Sequence, residues 1–243
     1  MNEGKAGAFI RSEGLTKSFG HIRALRGVDL TVRAGESWLI LGPNGAGKTT
    51  LMGILSLLLK PTEGELSING KKDAESETAL RQEIGVISHE TFLYGDLTAQ
   101  ENLIFYGKLY GIADCKGSAV DMIKEVGLED WAHERVRNYS RGMQQRLAIA
   151  RAMLHRPSIL LLDEPYTGLD QHGVLNFQNM LNRYHTDERI TIMTSHNLSA
   201  GFEKCTHLAI LAGGKIVFSN PMGELNSGDL KAIYFNYVEK TDR

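Results

Sequence analysis

Residues Ser37–Thr50 read SWLILGPNGAGKTT. An uncharged run of five residues predicts a buried strand. A glycine-rich turn follows, and Lys48, Thr49 and Thr50 open an apolar helix expected to run to about Leu59, where Lys60-Pro61 closes it. The turn fits the spacing G-x-x-x-x-G-K-[ST], from Gly42 through Pro43, Asn44, Gly45, Ala46 and Gly47 to Lys48 and Thr49. Glycines are needed there because successive backbone N–H groups must approach phosphate oxygens with no Cβ in the way, and the start of the helix adds its positive end to the same anion. In that setting Lys48 bridges β- and γ-phosphates and the Thr49 hydroxyl serves Mg²⁺.

On either side of this unit, strands alternate with helices. Upstream, FIRSEGLTKSF and VDLTV are strand-like, with Val28, Leu30 and Val32 alternating with polar residues before a turn at Ala34-Gly35-Glu36. Downstream, ELSING is hairpin-like, KKDAESETALRQ is a polar connection and EIGVIS is a strand. From about Gly95 to His155 the periodicity is helical, which predicts a helical insertion. ILLLDEP and ITIMTSH then read as apolar strands, LAILAGGKIVFS as a hairpin turning on Gly213-Gly214, and Leu230 to Val238 as a short amphipathic helix. Such alternation gives an α/β fold with a mainly parallel sheet covered on both faces.

Composition narrows the function. A chain of 243 residues with 42% hydrophobic content buries a substantial core, and 27 Lys plus Arg against 29 Asp plus Glu give no electrostatic push toward nucleic acid or an anionic membrane. Cys115 and Cys205 stand far apart, as expected of reduced thiols in a cytosolic compartment. The N-terminal MNEGKAGAF lacks a signal-peptide core, and the longest apolar run, Leu51 to Leu59, is too short to span a bilayer, so membrane work would need a separate partner.

Three further stretches carry chemistry. ILLLDE ends an apolar strand in adjacent carboxylates, costly to bury without a metal or hydrogen bonds; Asp163 is then expected to hold Mg²⁺ through water and Glu164 to orient or deprotonate an attacking water. In YSRGMQQRLAIARAML, Ser140 can cap a helix whose first turn holds Gly142. It is a second anion-facing helix start and suggests two chains sharing a site. In VISHETFLYGDL, from Val86 to Leu97, a β-branched run stops at His89, and Phe92, Leu93 and Tyr94 follow in a loop.

GPNGAGKTT, YSRGMQQR, LLLDEP, the GLD ending at Asp170 and the TSH ending at His196 together resemble an ATP-binding cassette (ABC) ATPase, from about Phe9 to Phe218. The resemblance implies a P-loop NTPase (RecA-like) core with an N-terminal antiparallel β subdomain and an inserted helical subdomain at about 90–155. A flexible segment 1–8 precedes one cassette domain over 9–243, with a helical tail at about 221–243. It implies ATP and Mg²⁺, with Phe19 stacking on adenine, residues 42–50 holding the phosphates, and Ser140, Arg141, Gly142 and Met143 as the signature meeting ATP on the opposite subunit. Asp170 closes the loop across that interface, and His196 contacts the γ-phosphate.

Two features depart from the family pattern. Arg141 and Met143 replace the usual glycine and glutamine, and His89 stands where the family has a glutamine. If the strand Ile84 to Ser88 runs beside the phosphate-loop strand, His89 faces Mg²⁺ or the attacking water and becomes a pH-sensitive sensor.

The resemblance also implies a homodimer or mixed pair of cassettes driving an integral membrane subunit from the cytoplasmic face, without nucleic acid. One cassette with no long insertion and no cysteine pairs weighs against translation factors and chromosome or repair ATPases. The wording is closest to haem-exporter (cytochrome c biogenesis) and ABC-2-type exporter ATPases, with an iron–sulfur scaffold ATPase as the non-membrane alternative.

Overall fold

The computed structural model describes residues 9–88, 90–167, 169, 171–184, 186, 188–197, 205–225 and 230–239. The segment 1–8, His89 and Asp170 therefore lie outside the described residues. A four-stranded antiparallel sheet, ordered β2-β1-β4-β5, comes from β1 (Phe9–Phe19), β2 (Ile22–Arg33), β4 (Glu63–Ile68) and β5 (Lys71–Lys72). Asn69 and Gly70, with φ of 53° and 74°, join the last two in the left-handed pair a tight hairpin requires.

A six-stranded sheet, ordered β10-β9-β3-β8-β7-β6, contains β3 (Ser37–Leu41), β6 (Ile84–Ile87), β7 (Ile159–Asp163), β8 (Ile190–Ser195), β9 (His207–Ala212) and the antiparallel edge β10 (Lys215–Pro221). Its inner strands read as continuous apolar runs because both faces are covered: Trp38, Ile40, Leu161 and Ile192 face a core shared with the antiparallel sheet and α1 (Lys48–Leu55). Leu39, Leu41, Leu160 and Leu162 face a second core under the helices. The helical insertion is present as α3 (Ala99–Leu109), α4 (Cys115–Glu125) and α5 (Arg141–Met153); α6 (Gln171–Tyr184) connects β7 to β8, and the tail helix is α7 (Leu230–Glu239).

Three expectations are corrected. The helix after the phosphate-type loop stops at Leu55, four residues short of Leu59. Leu57 turns left-handed at φ 60°, and the N–H groups of Leu58 and Leu59 both return to Gly53 O at 2.9 Å, so Leu59 folds back over the helix. The polar stretch after the hairpin is not a plain connection but holds α2 (Asp73–Arg81). Most consequentially, β6 does not run beside β3. A strand has two hydrogen-bonding edges, and β3 uses both, on β8 (Ile40↔Thr194) and on β9 (Leu39↔Leu208). β6 pairs instead with β7, through Ile87↔Leu162, at the far edge of the sheet.

α5 fastens that edge strand. Arg151, buried, donates to Val86 O at 2.6 Å, with its guanidinium 5.5 Å from the Phe92 ring and 5.2 Å from that of Tyr106. Just past the helix, His155 Nε2 lies 3.1 Å from Ile84 O and the ring stacks on Tyr110 at 3.8 Å. Burial pushes the His155 imidazole down to about 4; the Ile84 carbonyl and Glu83 pull it up, and Arg151 pushes it further down. The unfolded chain, with an ordinary histidine near ~6.5, therefore binds more protons than the folded chain between those pH values, and stability falls as pH drops through that window. The expected loss between pH ~6.5 and ~4 is up to about 3 kcal/mol. Urea unfolding across this range should show a shallower slope for His155→Gln than for the parent, and equal slopes would remove His155 as the cause.

Candidate functional site

The site forms where β3, β8 and β7 end side by side, each contributing the residue that follows or closes it. From β3 the chain enters a loop that admits no side chain at its ends. A Cβ on Gly42 would lie 2.3 Å from Leu211 O, and one on Gly47, whose φ is 105°, would lie 2.6 Å from Ala24 O. β2 and the β9–β10 hairpin thus hold the loop from both sides, and Gly214 N–H donates to Ala46 O at 3.1 Å. Between these clamped ends, Asn44 and Gly45 are exposed. Thr49 is exposed and Thr50 half-buried in the first turn of α1, while Lys48 is buried.

Lys48 Nζ donates to Gly42 O at 2.8 Å and Pro43 O at 3.0 Å, and it lies 3.2 Å from Glu164 Oε1. The other carboxylate oxygen of Glu164 is 2.7 Å from His196 Nδ1 and accepts from Thr167 Oγ1 at 3.3 Å. Burial by itself raises the Glu164 pKa, but the hydrogen bonds and charges of His196 and Lys48 outweigh it and hold the carboxyl below its ordinary value. Glu164 also has a left-handed backbone, φ 49°, an unfavoured conformation for a side chain with a Cβ. Its N–H donates to Thr194 Oγ1 at 3.1 Å, which helps hold it there.

Thr194 also donates to Asp163 Oδ1 at 2.6 Å, and both residues are buried. A buried carboxylate with this one donor among the described residues suits a hard cation with oxygen ligands, so Asp163 and the Thr49 hydroxyl fit Mg²⁺ by chemistry. Sequence reasoning quoted Thr194 only as part of TSH. Its signal is a threonine in an apolar strand, and the register Asp163↔Thr194 gives it its partner. Gln145, similarly overlooked, ties α5 to the loop after β7 by donating to Pro165 O at 2.8 Å.

The remaining candidates lie around this centre. Phe19 closes β1 with 48% of its surface exposed and Lys17 Nζ 5.2 Å from its ring centroid. Ser140 is the cap of α5 as expected, its Oγ accepting from Met143 N–H at 3.3 Å; Arg141 and Gly142 are exposed and Met143 half-buried. No hydrogen bond or ion pair among the described residues joins this group to Lys48 or Glu164. A second surface surrounds the loop after β6. Phe92 and Tyr94 are exposed, Leu93 packs partly into the helical core, and Tyr94 meets Phe105 edge-on at 5.0 Å. Tyr106 Oη donates to Phe92 O, and Asn102 both accepts from Tyr94 N–H at 2.8 Å and donates to Tyr94 O at 3.0 Å, which fixes the loop's course.

Residues 25–167 match the family model described as ABC transporter. The chain belongs to the ABC transporter family. It is an ATPase domain of that family, with the P-loop NTPase core, antiparallel subdomain and helical insertion the resemblance implied. Over 222 residues this ABC chain is 34% identical to the ABC transporter ATP-binding protein NatA of Bacillus subtilis (strain 168), covering 88% of this chain and 90% of that protein. It is 36% identical over 233 residues to the bacitracin transport ATP-binding protein BcrA of Bacillus licheniformis, covering 95% and 76%. Among solved structures it is similar to the ATP-binding cassette MJ0796 in a dimeric post-hydrolysis state bound to ADP and Pi, at 29% identity and a TM-score of 0.79, covering 88% of this chain and 98% of that one. Haem export, cytochrome c assembly and the iron–sulfur scaffold alternative find no support in these relatives. No helix among the described residues is long and apolar enough to cross a membrane.

Proposed function

We propose that the chain is the nucleotide-binding subunit of an ABC-2-type exporter, sitting on the cytoplasmic face of the membrane and closing as a pair of cassettes around ATP to drive a separate membrane subunit. The observation that carries this is the Lys48–Glu164–His196 cluster at three adjoining strand ends, with the glycine-clamped loop beside it. The likeness to a bacitracin transport protein over 95% of the chain supports the exporter reading.

In this reading Phe19 stacks on the adenine, and the N–H groups of residues 42–50 and the start of α1 hold the phosphates. A bound triphosphate competes with Glu164 for Lys48, because a phosphate oxygen offers the ammonium more charge than a carboxylate already shared with a histidine. Glu164 then keeps His196 on one oxygen and turns the other to a water, which it orients and deprotonates for attack on the γ-phosphorus. His196 holds the carboxylate in place and reaches the departing phosphate. Mg²⁺, when bound, would neutralise phosphate charge from Thr49 and Asp163. His89 senses the nucleotide state through its imidazole; the strand that precedes it in sequence, β6, borders β7 rather than β3.

The exposed Ser140 and Gly142 close the nucleotide site of the second cassette, and the likeness to a cassette that is dimeric and bound to ADP and Pi supports the pairing. The Phe92–Leu93–Tyr94 surface receives a short cytoplasmic helix of the membrane subunit, since exposed apolar groups on a fixed loop mark an interface. Photo-crosslinking from position 93 in a complex co-purified with the membrane subunit should capture that subunit, and bacitracin should stimulate the complex's ATPase. Crosslinks found exclusively elsewhere would move the docking site. A complex whose ATPase ignores every amphiphilic peptide or drug tried would count against the exporter reading.

A further inference from the structure

Gln145 begins the second turn of α5 and is buried, with 9% of its surface exposed, ahead of a run in which Leu147, Ala148 and Ile149 are buried and apolar. A buried amide in such a place needs a partner, and its Nε2 donates to Pro165 O at 2.8 Å. Gln144, about 100° around the helix, instead donates to Val136 O at 3.3 Å and stays within the helical insertion. The Gln145 bond therefore joins the insertion to the loop that carries Glu164, the residue before Pro165. Glu164 has a φ of 49°, and a residue with a Cβ stays there only when its surroundings over-determine it. Its N–H donates to Thr194 Oγ1 at 3.1 Å, and its carbonyl accepts from Thr167 N–H at 3.1 Å. Thr194 belongs to β8, but Thr167 is part of the same loop and moves with it. The Pro165 ring fixes φ at the next residue, so the direction of the Pro165 carbonyl depends there on one backbone torsion. Gln145 fixes that direction from α5, whose far end is fastened to β6 through Arg151.

We propose that Gln145 is a positioning residue for ATP hydrolysis: through Pro165 O it keeps the Glu164 backbone left-handed, so that the carboxylate stays between Lys48 and His196 and aimed at the attacking water. This rests on the reading of Glu164 as the group that orients and deprotonates that water. Without the Gln145 bond the loop relaxes and Glu164 leaves its unfavoured conformation. Its carboxylate then turns away from Lys48 Nζ and His196 Nδ1, which lie 3.2 and 2.7 Å from it. The Lys48 bonds to Gly42 O and Pro43 O are untouched, so the phosphate loop keeps its shape. Hydrolysis of bound ATP suffers, and ATP binding does not.

Steady-state ATPase rates and binding of a fluorescent ATP analogue test this in the parent, Gln145→Met, Glu164→Gln and the double variant. Methionine keeps the length and apolar body of the side chain and removes the donor. Gln145→Met should lower kcat by about 10–100-fold, the scale for a misplaced catalytic group, with KM and analogue affinity within about twofold of the parent. Added to Glu164→Gln, the same change should alter the residual rate by less than about twofold, because the group it positions is already gone. A glutamine that only satisfied a buried carbonyl would show a lower thermal midpoint with kcat kept, or an equal loss of rate in both backgrounds. Either result overturns the proposal and leaves Glu164 as the base. A Glu164→Gln protein as fast as the parent removes the base and this proposal together. Gln145→Leu takes the place of Gln145→Met if the latter does not fold. Failure of both to fold would show that Gln145 holds the fold rather than the carboxylate, and the proposal would fail.

Discussion

Glu164→Gln is expected to lower steady-state ATP hydrolysis by at least about 100-fold while leaving nucleotide binding intact, because a general base typically contributes two to four orders of magnitude. The amide keeps the shape of the carboxylate and can still accept from Thr167 Oγ1, which now lies 3.3 Å away. It loses the negative charge that lies 3.2 Å from Lys48 Nζ. Lys48 is then held only by the Gly42 and Pro43 carbonyls and is more readily given up to phosphate, so ATP affinity should hold or rise. With hydrolysis slowed and binding retained, paired cassettes should accumulate and be visible by light scattering. Phosphate release measured alongside decides the point. A variant that hydrolyses at the parental rate would take the base role from Glu164, and one that binds no ATP would show that the carboxylate is needed to build the loop.

Much of this centre was legible because it is local. A strand that stops at Leu41 and a helix that starts at Lys48 leave one place for the loop, and Asp163-Glu164 follow an apolar run that can only be a buried strand. The hydrogen bond between Glu164 and His196 spans 32 positions and follows from neither motif alone; it needs β7 and β8 to be adjacent. Strand order defeated the expectation for β6 for the same reason. Nothing in IGVI says which neighbour it takes, and the pairing was decided by β3 having both edges occupied. The early end of α1 was invisible because the left-handed residue is Leu57, where a glycine would have signalled the stop. α2 was passed over because its charged sequence carries no apolar stripe strong enough to mark a helix.

Gly42→Ala is expected to destabilise the fold by about 2–4 kcal/mol, the range for forcing an atom against a neighbour that cannot yield. The added Cβ would lie 2.3 Å from Leu211 O and 3.3 Å from Leu211 C, backbone atoms of the adjoining strand β9 rather than the end of a flexible side chain. Relief requires prising β3 from β9 just past their Leu41↔Ile210 pair, and this would also displace Gly42 O, which takes a 2.8 Å hydrogen bond from Lys48. Stability and nucleotide binding should therefore fall together, with a thermal midpoint lower by about 5–10 °C for a domain of this size. Two other glycines separate this clash from simpler causes. Gly45→Ala meets no atom within 4 Å but inherits a φ of 80°, so it should lose only the roughly 1–2 kcal/mol of left-handed strain. Gly142→Ala has neither a neighbour nor a positive φ, so its monomer should melt within about 2 °C of the parent. Calorimetry on the three variants orders them. A Gly42→Ala protein as stable as Gly142→Ala would mean that β9 can draw back from the loop at no cost, and the loop's rigidity would then have to come from the Lys48 hydrogen bonds, the Gly214–Ala46 hydrogen bond and the close approach of Gly47 to Ala24 O.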